Sequence, residues 1–65
     1  MKTYYEYQMT IDDKEFNEIY DFTAYFENHM IADKFLTENK NVGNVVVINS
    51  IAEVQMKPSD LPMSS

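Results

Sequence analysis

From Thr3 to Ile11 the chain alternates: Tyr5, Tyr7, Met9 and Ile11 point one way, and Tyr4, Glu6, Gln8 and Thr10 the other. A period of two in a run rich in tyrosine and β-branched residues predicts a strand. Asp12-Asp13 follows as a turn, and residues 14–22 can return as a second strand. A two-residue turn pairs Ile11 with Lys14, Met9 with Phe16, Tyr7 with Glu18 and Tyr5 with Tyr20. The inner face is then Met9, Phe16, Tyr5, Tyr20 and Phe22. The outer face is Glu6, Glu15, Asn17 and Asp21, with Ile19 its one apolar member. This agreement of faces favours a hairpin. A rival pattern overlaps it. Asp12-x-x-Glu15 has the form of a capping box, and Phe16, Ile19 and Tyr20 also have helical spacing.

Over residues 23–38 the period changes to that of a helix. Ala24, Tyr25, Ala32, Phe35 and Leu36, with Ile31 at the edge, fall on one side; Glu27, Lys34, Thr37 and Glu38 fall on the other. The stretch Asn39 to Gly43, which holds the chain's one glycine, closes the helix. Val45-Val46-Val47-Ile48 opens a third strand that runs to about Met56, and its unbroken apolar start predicts burial on both faces. The expected fold is α+β: a β-β-α-β unit with one helix on one face of a three-stranded antiparallel sheet. A right-handed helical connection that returns the third strand beside the first gives the order 2-1-3. The domain spans residues 1–56. Residues 57–65, polar with two prolines, read as a flexible tail.

Composition narrows the possibilities. A chain of 65 residues forms one domain with a small core. With no cysteine it has neither a disulfide nor a thiolate metal site, which leaves oligomerisation as the common route to extra stability. No apolar run approaches the ~20 residues of a membrane-spanning helix, and Met1 to Glu6 lacks the apolar stretch of a signal peptide. The expected location is the cytoplasm.

Charge changes the picture most. Eleven acidic residues stand against five lysines and no arginine, for a net charge of −6. Without arginine forks and with excess negative charge, direct nucleic-acid binding is not expected. An anionic surface suits a basic protein partner.

Catalytic chemistry has few candidates. His29 is the one histidine, and at the edge of the helix's buried side it reads as a structural residue that needs a single hydrogen-bond partner. A single glycine supports neither a phosphate loop nor a nucleophile elbow. Asp12, Asp13 and Glu15 offer hard oxygen ligands but lack the sharp glycine turn of a calcium loop, and read as a solvated turn tip. No enzyme activity, metal or cofactor is expected.

As a set, the acids are more informative. Glu6, Glu15 and Asp21 share the outer hairpin face, Asp12 and Asp13 extend it at the turn, and Glu18 and Glu27 complete the group. A row of carboxylates spaced along strands can occupy basic pockets built for phosphates. Phe26 and Met30, one turn apart on the helix's polar side, and Ile19 on the acidic face are apolar residues left outside. With Phe16 and Tyr20 they form a candidate partner-binding or dimer patch.

One local pattern carries a likeness. Tyr4-Tyr5-Glu6-Tyr7, eight residues, then Phe16-Asn17-Glu18-Ile19-Tyr20 resembles the small acidic uracil-DNA glycosylase inhibitors of phi29-like bacteriophages, over about a quarter of the chain. The resemblance implies a dimer that presents acidic residues in the manner of DNA. Glu6, Phe16 and Tyr20 would be contact residues, and the phenylalanine would sit on a helix. The expectation is an acidic inhibitor that mimics DNA and blocks a host DNA-handling protein, with a replication sliding clamp, a uracil-DNA glycosylase or a CRISPR nuclease as candidates. It would act in the cytoplasm of the host cell. The alternative is a small structural or regulatory homodimer without mimicry.

Overall fold

The computed structural model describes residues 1–61. Strands β1 (Lys2–Asp13) and β2 (Glu18–Phe26) are followed by helix α1 (His29–Asn41), strand β3 (Val45–Met56) and a short 3-10 turn at Pro58–Asp60. The sheet order is β2-β1-β3, and both neighbour pairs are antiparallel. The fold is therefore α+β, β-β-α-β, with the helix crossing over the central strand. Of the expected tail, Pro58–Asp60 form the 3-10 turn and residues 62–65 lie outside the described residues. The longest dimension, 37 Å, is close to that of a twelve-residue strand at about 3.3 Å per residue.

The hairpin forms, but with a different turn. Ile11 pairs with Tyr20, Met9 with Phe22, Tyr7 with Ala24 and Tyr5 with Phe26. The turn is Lys14–Asn17, not Asp12-Asp13, so Glu15 and Phe16 sit in the loop and Phe16 does not face Met9. The cause is local. The Asp13 carboxylate accepts from the backbone N–H of Glu15 (3.0 Å) and of Phe16 (3.2 Å), and Asn17 takes a left-handed conformation, φ 55°. Asp and Asn are the residues suited to these two tasks. The capping carboxylate is that of Asp13 and not, as the rival helical pattern has it, that of Asp12, and it closes only a turn. Relative to the expected register the slip is even, so each residue still on a strand keeps its face.

The slip lengthens β2 to Phe26, and the helix starts at His29 instead of residue 23. Phe22, Ala24 and Phe26 alternate with Asp21, Thr23 and Tyr25, so period two fits this segment as well as period 3.6 does. Its aromatic and β-branched content favours the strand. Asn28 is the N-cap: its side-chain oxygen accepts from Ile31 N–H at 3.0 Å. At the other end Gly43 (φ 87°) donates to Lys40 O at 3.0 Å, and Asn44 donates to Asn39 O at 3.0 Å. This is the paired arrangement of a glycine-closed helix.

The core lies between α1 and one face of the sheet. Tyr7, Met9, Ala24, Phe26 and Ala32 are its buried members, with Tyr5, Phe22, Phe35, Leu36 and Val46 at its margin. Tyr7 meets Phe26 edge-on at 5.3 Å, and Phe35 lies against both Phe22 (6.0 Å) and Phe26 (5.6 Å). Phe26 thus corrects the sequence reading: it is 9% exposed and ends β2, and does not project from the helix's polar side. Tyr25, expected on the helix, lies on the opposite face of β2 from Phe26. β3 corrects it as well. Its apolar start is not covered on both faces, because the strand stands at the edge of the sheet: Val45 and Val47 are 52% and 54% exposed.

Candidate protein-binding face

The register defines the sheet face opposite the helix rung by rung. Ile19, Asp12 and Val45 form one rung, and Asp21, Thr10 and Val47 the next. Thr23, Gln8 and Ser50 follow, then Tyr25, Glu6 and Ala52. Asp12 and Asp21 are diagonal neighbours, about 7–8 Å apart by strand geometry. Glu6 lies further along the same face. Three carboxylates of the expected acidic row, and Ile19 among them, are thus brought together.

Side chains tie this face across all three strands. β3 holds one extra residue between Ser50, opposite Gln8, and Ile48, opposite Met9. That residue, Asn49, donates to the Thr10 hydroxyl at 3.0 Å, and Thr10 donates to Asp21 Oδ1 at 3.0 Å. Glu6 accepts from Gln8 at 3.1 Å and from the Tyr25 hydroxyl at 2.8 Å, one on each oxygen. The Tyr25 phenol is held above its ordinary pKa, first by this bond to Glu6, then by burial and by the Glu6 charge. Asp12 accepts from Lys14 Nζ at 2.8 Å. Neighbour bonds of this kind hold carboxylates in fixed positions and so lower the ordering cost of meeting a cationic partner.

The remaining acids are elsewhere. Asp13 is engaged in the turn and faces Glu18 across the β1–β2 pair. Like charges directly opposite cost stability, and this pair closes the hairpin. Glu15 is in the turn itself. Glu27 follows β2 and accepts from Lys2 at 2.7 Å; this exposed pair raises the Lys2 pKa, through the hydrogen bond first and then the Glu27 charge. Among the described residues no three histidine or acidic side chains converge on a common metal position.

The apolar candidates separate. Ile19 (71% exposed) and Phe16 (70%) lie at the turn end, and Tyr20 lies across the sheet from Ile19 on the helix side. Met30 adjoins His29, whose ring lies tilted against Tyr5 with centroids 4.3 Å apart. Tyr5 is seven residues from Asp12 along β1, or about 23 Å. With Phe26 buried, Phe26, Met30 and Ile19 do not form one patch. His29 itself shares a 2.8 Å hydrogen bond with the Tyr7 hydroxyl. Burial first, and the Asp33 charge second, push the Tyr7 phenol up.

No family model matches this chain, nor does any curated protein or solved structure. The site therefore rests on its own geometry.

Two neighbours on this face were not singled out from sequence. Val45 and Val47 continue the rungs of Asp12 and Thr10 and flank the acids with exposed apolar surface. The apolar run over residues 45–48 carries their signal, but an apolar run by itself predicts burial, and here the edge position leaves both valines half exposed. No helix among the described residues is long and apolar enough to cross a membrane.

Proposed function

We propose that this chain is an anionic protein-binding module. Its sheet face, bearing Glu6, Asp12 and Asp21 beside Ile19, engages a basic surface on a DNA-handling protein and competes with DNA for it. The observation that carries the reading is the joining of these carboxylates to exposed apolar residues on one face, in a chain without arginine. Charge would steer the encounter, and the apolar rung would slow dissociation. On this reading the protein is not an enzyme and takes no cofactor. The target class, a clamp, glycosylase or nuclease, follows from which basic surface accepts the face.

The test compares the immobilised protein with Glu6→Gln/Asp12→Asn/Asp21→Asn in bacterial lysate. The unmodified protein should retain DNA-handling proteins that short duplex DNA displaces and that about 0.5 M salt releases by screening. The amide variant, folded by circular dichroism, should retain roughly ten-fold less or lower. Equal retention by the two, or retention that duplex DNA does not displace, would overturn the reading.

A further inference from the structure

Strand β3 has β1 on one side and no strand of this chain's described residues on the other. Soluble proteins protect such edges with charge, proline, brevity or a bulge. β3 spans twelve residues, Val45–Met56, with no proline and a single charged residue, Glu53. Glu53 and the irregularity at Asn49 are its protective devices. The other edge differs: β2 places Glu18 and Asp21 in nine residues. The side chains of β3 repeat the contrast. Val45 and Val47 are half exposed on one face of the sheet, and Ile48 and Ile51 are 39% and 50% exposed on the other. Beside Ile48, a groove of about 370 Å³ runs between Leu36 and Lys40 of the helix and Val45 and Val46 of the strand.

We propose that β3 pairs antiparallel with β3 of a second copy, giving a six-stranded sheet of order β2-β1-β3-β3-β1-β2. Three observations favour a second copy as the occupant. First, two copies of a chain of charge −6 repel each other, and of the two sheet edges β3, with one charged residue, opposes their approach least. Second, antiparallel pairing brings the Lys57 end of one strand to the Val45 end of the other, where Asp12 stands opposite Val45 on the adjoining strand and Asp13 follows it. A parallel pair would set the two acidic ends side by side. Third, five buried side chains form the cluster under the helix. A domain of this size gains from burying more apolar surface.

A two-fold axis normal to the sheet makes the contact isologous. It keeps both helices on one side, and sets the groove beside Val45, Val46 and Ile48 of each copy next to the end of the opposite strand at residues 53–56. The inference does not depend on the cationic-partner reading. It does place both acidic faces on the same side of the sheet.

The experiment is sedimentation equilibrium together with amide hydrogen exchange on the full chain, from about 5 to 500 μM, a span that brackets a micromolar association. The expected mass is that of two 7.7 kDa chains, with β3 amides whose protection rises with concentration. Val47→Lys/Ile51→Lys should keep the circular dichroism spectrum and raise the dimer dissociation constant roughly thirty-fold or more. Ile19→Lys, on the far edge, should leave the dimer intact. A single-chain mass at the highest concentration would overturn the proposal. So would a dimer that survives the double lysine variant, or one abolished by Ile19→Lys. If the double variant does not fold, exchange on the unmodified chain decides: β3 amides whose protection does not change with concentration would also sink the proposal.

Discussion

The hairpin and the C-terminal half of this molecule differ in how they meet solvent. Residues 1–28 hold seven acids against two lysines, a balance of −5; residues 29–65 hold four against three, a balance of −1. The hairpin ties the polar side chains of its outer face by hydrogen bonds, Thr10 to Asp21, and Tyr25 and Gln8 to Glu6, with Asn49 of β3 donating to Thr10; its exposed apolar residues Phe16 and Ile19 are confined to the turn end. β3 leaves Val45, Val47, Ile48 and Ile51 half exposed. A polar network stabilises itself in water, whereas an apolar edge gains only when something covers it. The two regions of one small sheet are thus suited to different contacts, one electrostatic and one apolar.

The strongest way to break that comparison is to remove core volume from the strand that both regions share. Met9 is 1% exposed at the centre of β1. Met9→Ala should cost about 2–5 kcal/mol, a large part of the stability of a chain this short, and thermal melting should show little cooperative unfolding at 37 °C. Phe26→Asp should act the same way, by placing an unpaired charge in the core, and so reports on folding and not on association. Ile51→Ala at low protein concentration should have a far smaller effect. An equal loss at both sites would mean that β3 is as much a part of the monomer's core as β1 is.

Why some of this could be read from the chain and some could not follows from period and competition. Alternation from Thr3 to Ile11 has a single periodic solution, so β1 and its two faces were legible. Gly43 and its flanking asparagines gave the helix stop for the same reason, and Val45 to Met56 gave the third strand and the 2-1-3 order. Residues 14–26 fit more than one pattern. Asp12 and Asp13 are both turn formers, and only backbone geometry places the cap on Asp13 and the left-handed residue at Asn17. An even slip leaves the faces intact, so Glu6, Asp21 and Ile19 landed together although their expected partners were wrong. Phe26 failed because Phe22, Ala24 and Phe26 can be counted as strand or helix positions. The exposure of Val45 and Val47 was hidden for a different reason. An apolar run reports a wish for burial, and it does not say whether the same chain supplies the cover.

Middle-sized effects should separate the two regions at their boundaries. Asn28→Ala removes the N-cap oxygen and Gly43→Ala forces a side chain onto φ 87°; a Cβ there meets nothing within 4 Å, so its cost is conformational alone. Each should cost about 1 kcal/mol, the first by losing a capping bond and the second by left-handed strain. Urea midpoints should fall with unchanged slope. Because Asn44 also accepts from Lys14 N–H at 3.0 Å, Gly43→Ala should loosen the hairpin turn too, seen as faster exchange at Lys14. Asn28→Ala should leave that amide alone.

The smallest effect expected near neutral pH lies in the network itself, and it grows only in alkali. The Tyr25 and Tyr7 phenols both have folded pKa values raised above the ordinary 10.0. In that region the unfolded chain loses these protons first, so it binds fewer than the folded chain, and stability falls as pH rises. The stabilisation is complete below about pH 10, the unfolded phenol value, and is lost as pH climbs through the higher folded values. Melting temperature should therefore hold steady from pH 7 to 9 and drop above 10. Tyr25→Phe should flatten part of that drop, because it removes the phenol that Glu6 holds, and Glu6→Gln should do the same by removing the charge that opposes tyrosinate. If Tyr25→Phe left the alkaline profile unchanged while Tyr7→Phe abolished it, the buried helix side alone would set the pH response. The acidic face would then hold its carboxylates no more firmly than ordinary exposed side chains.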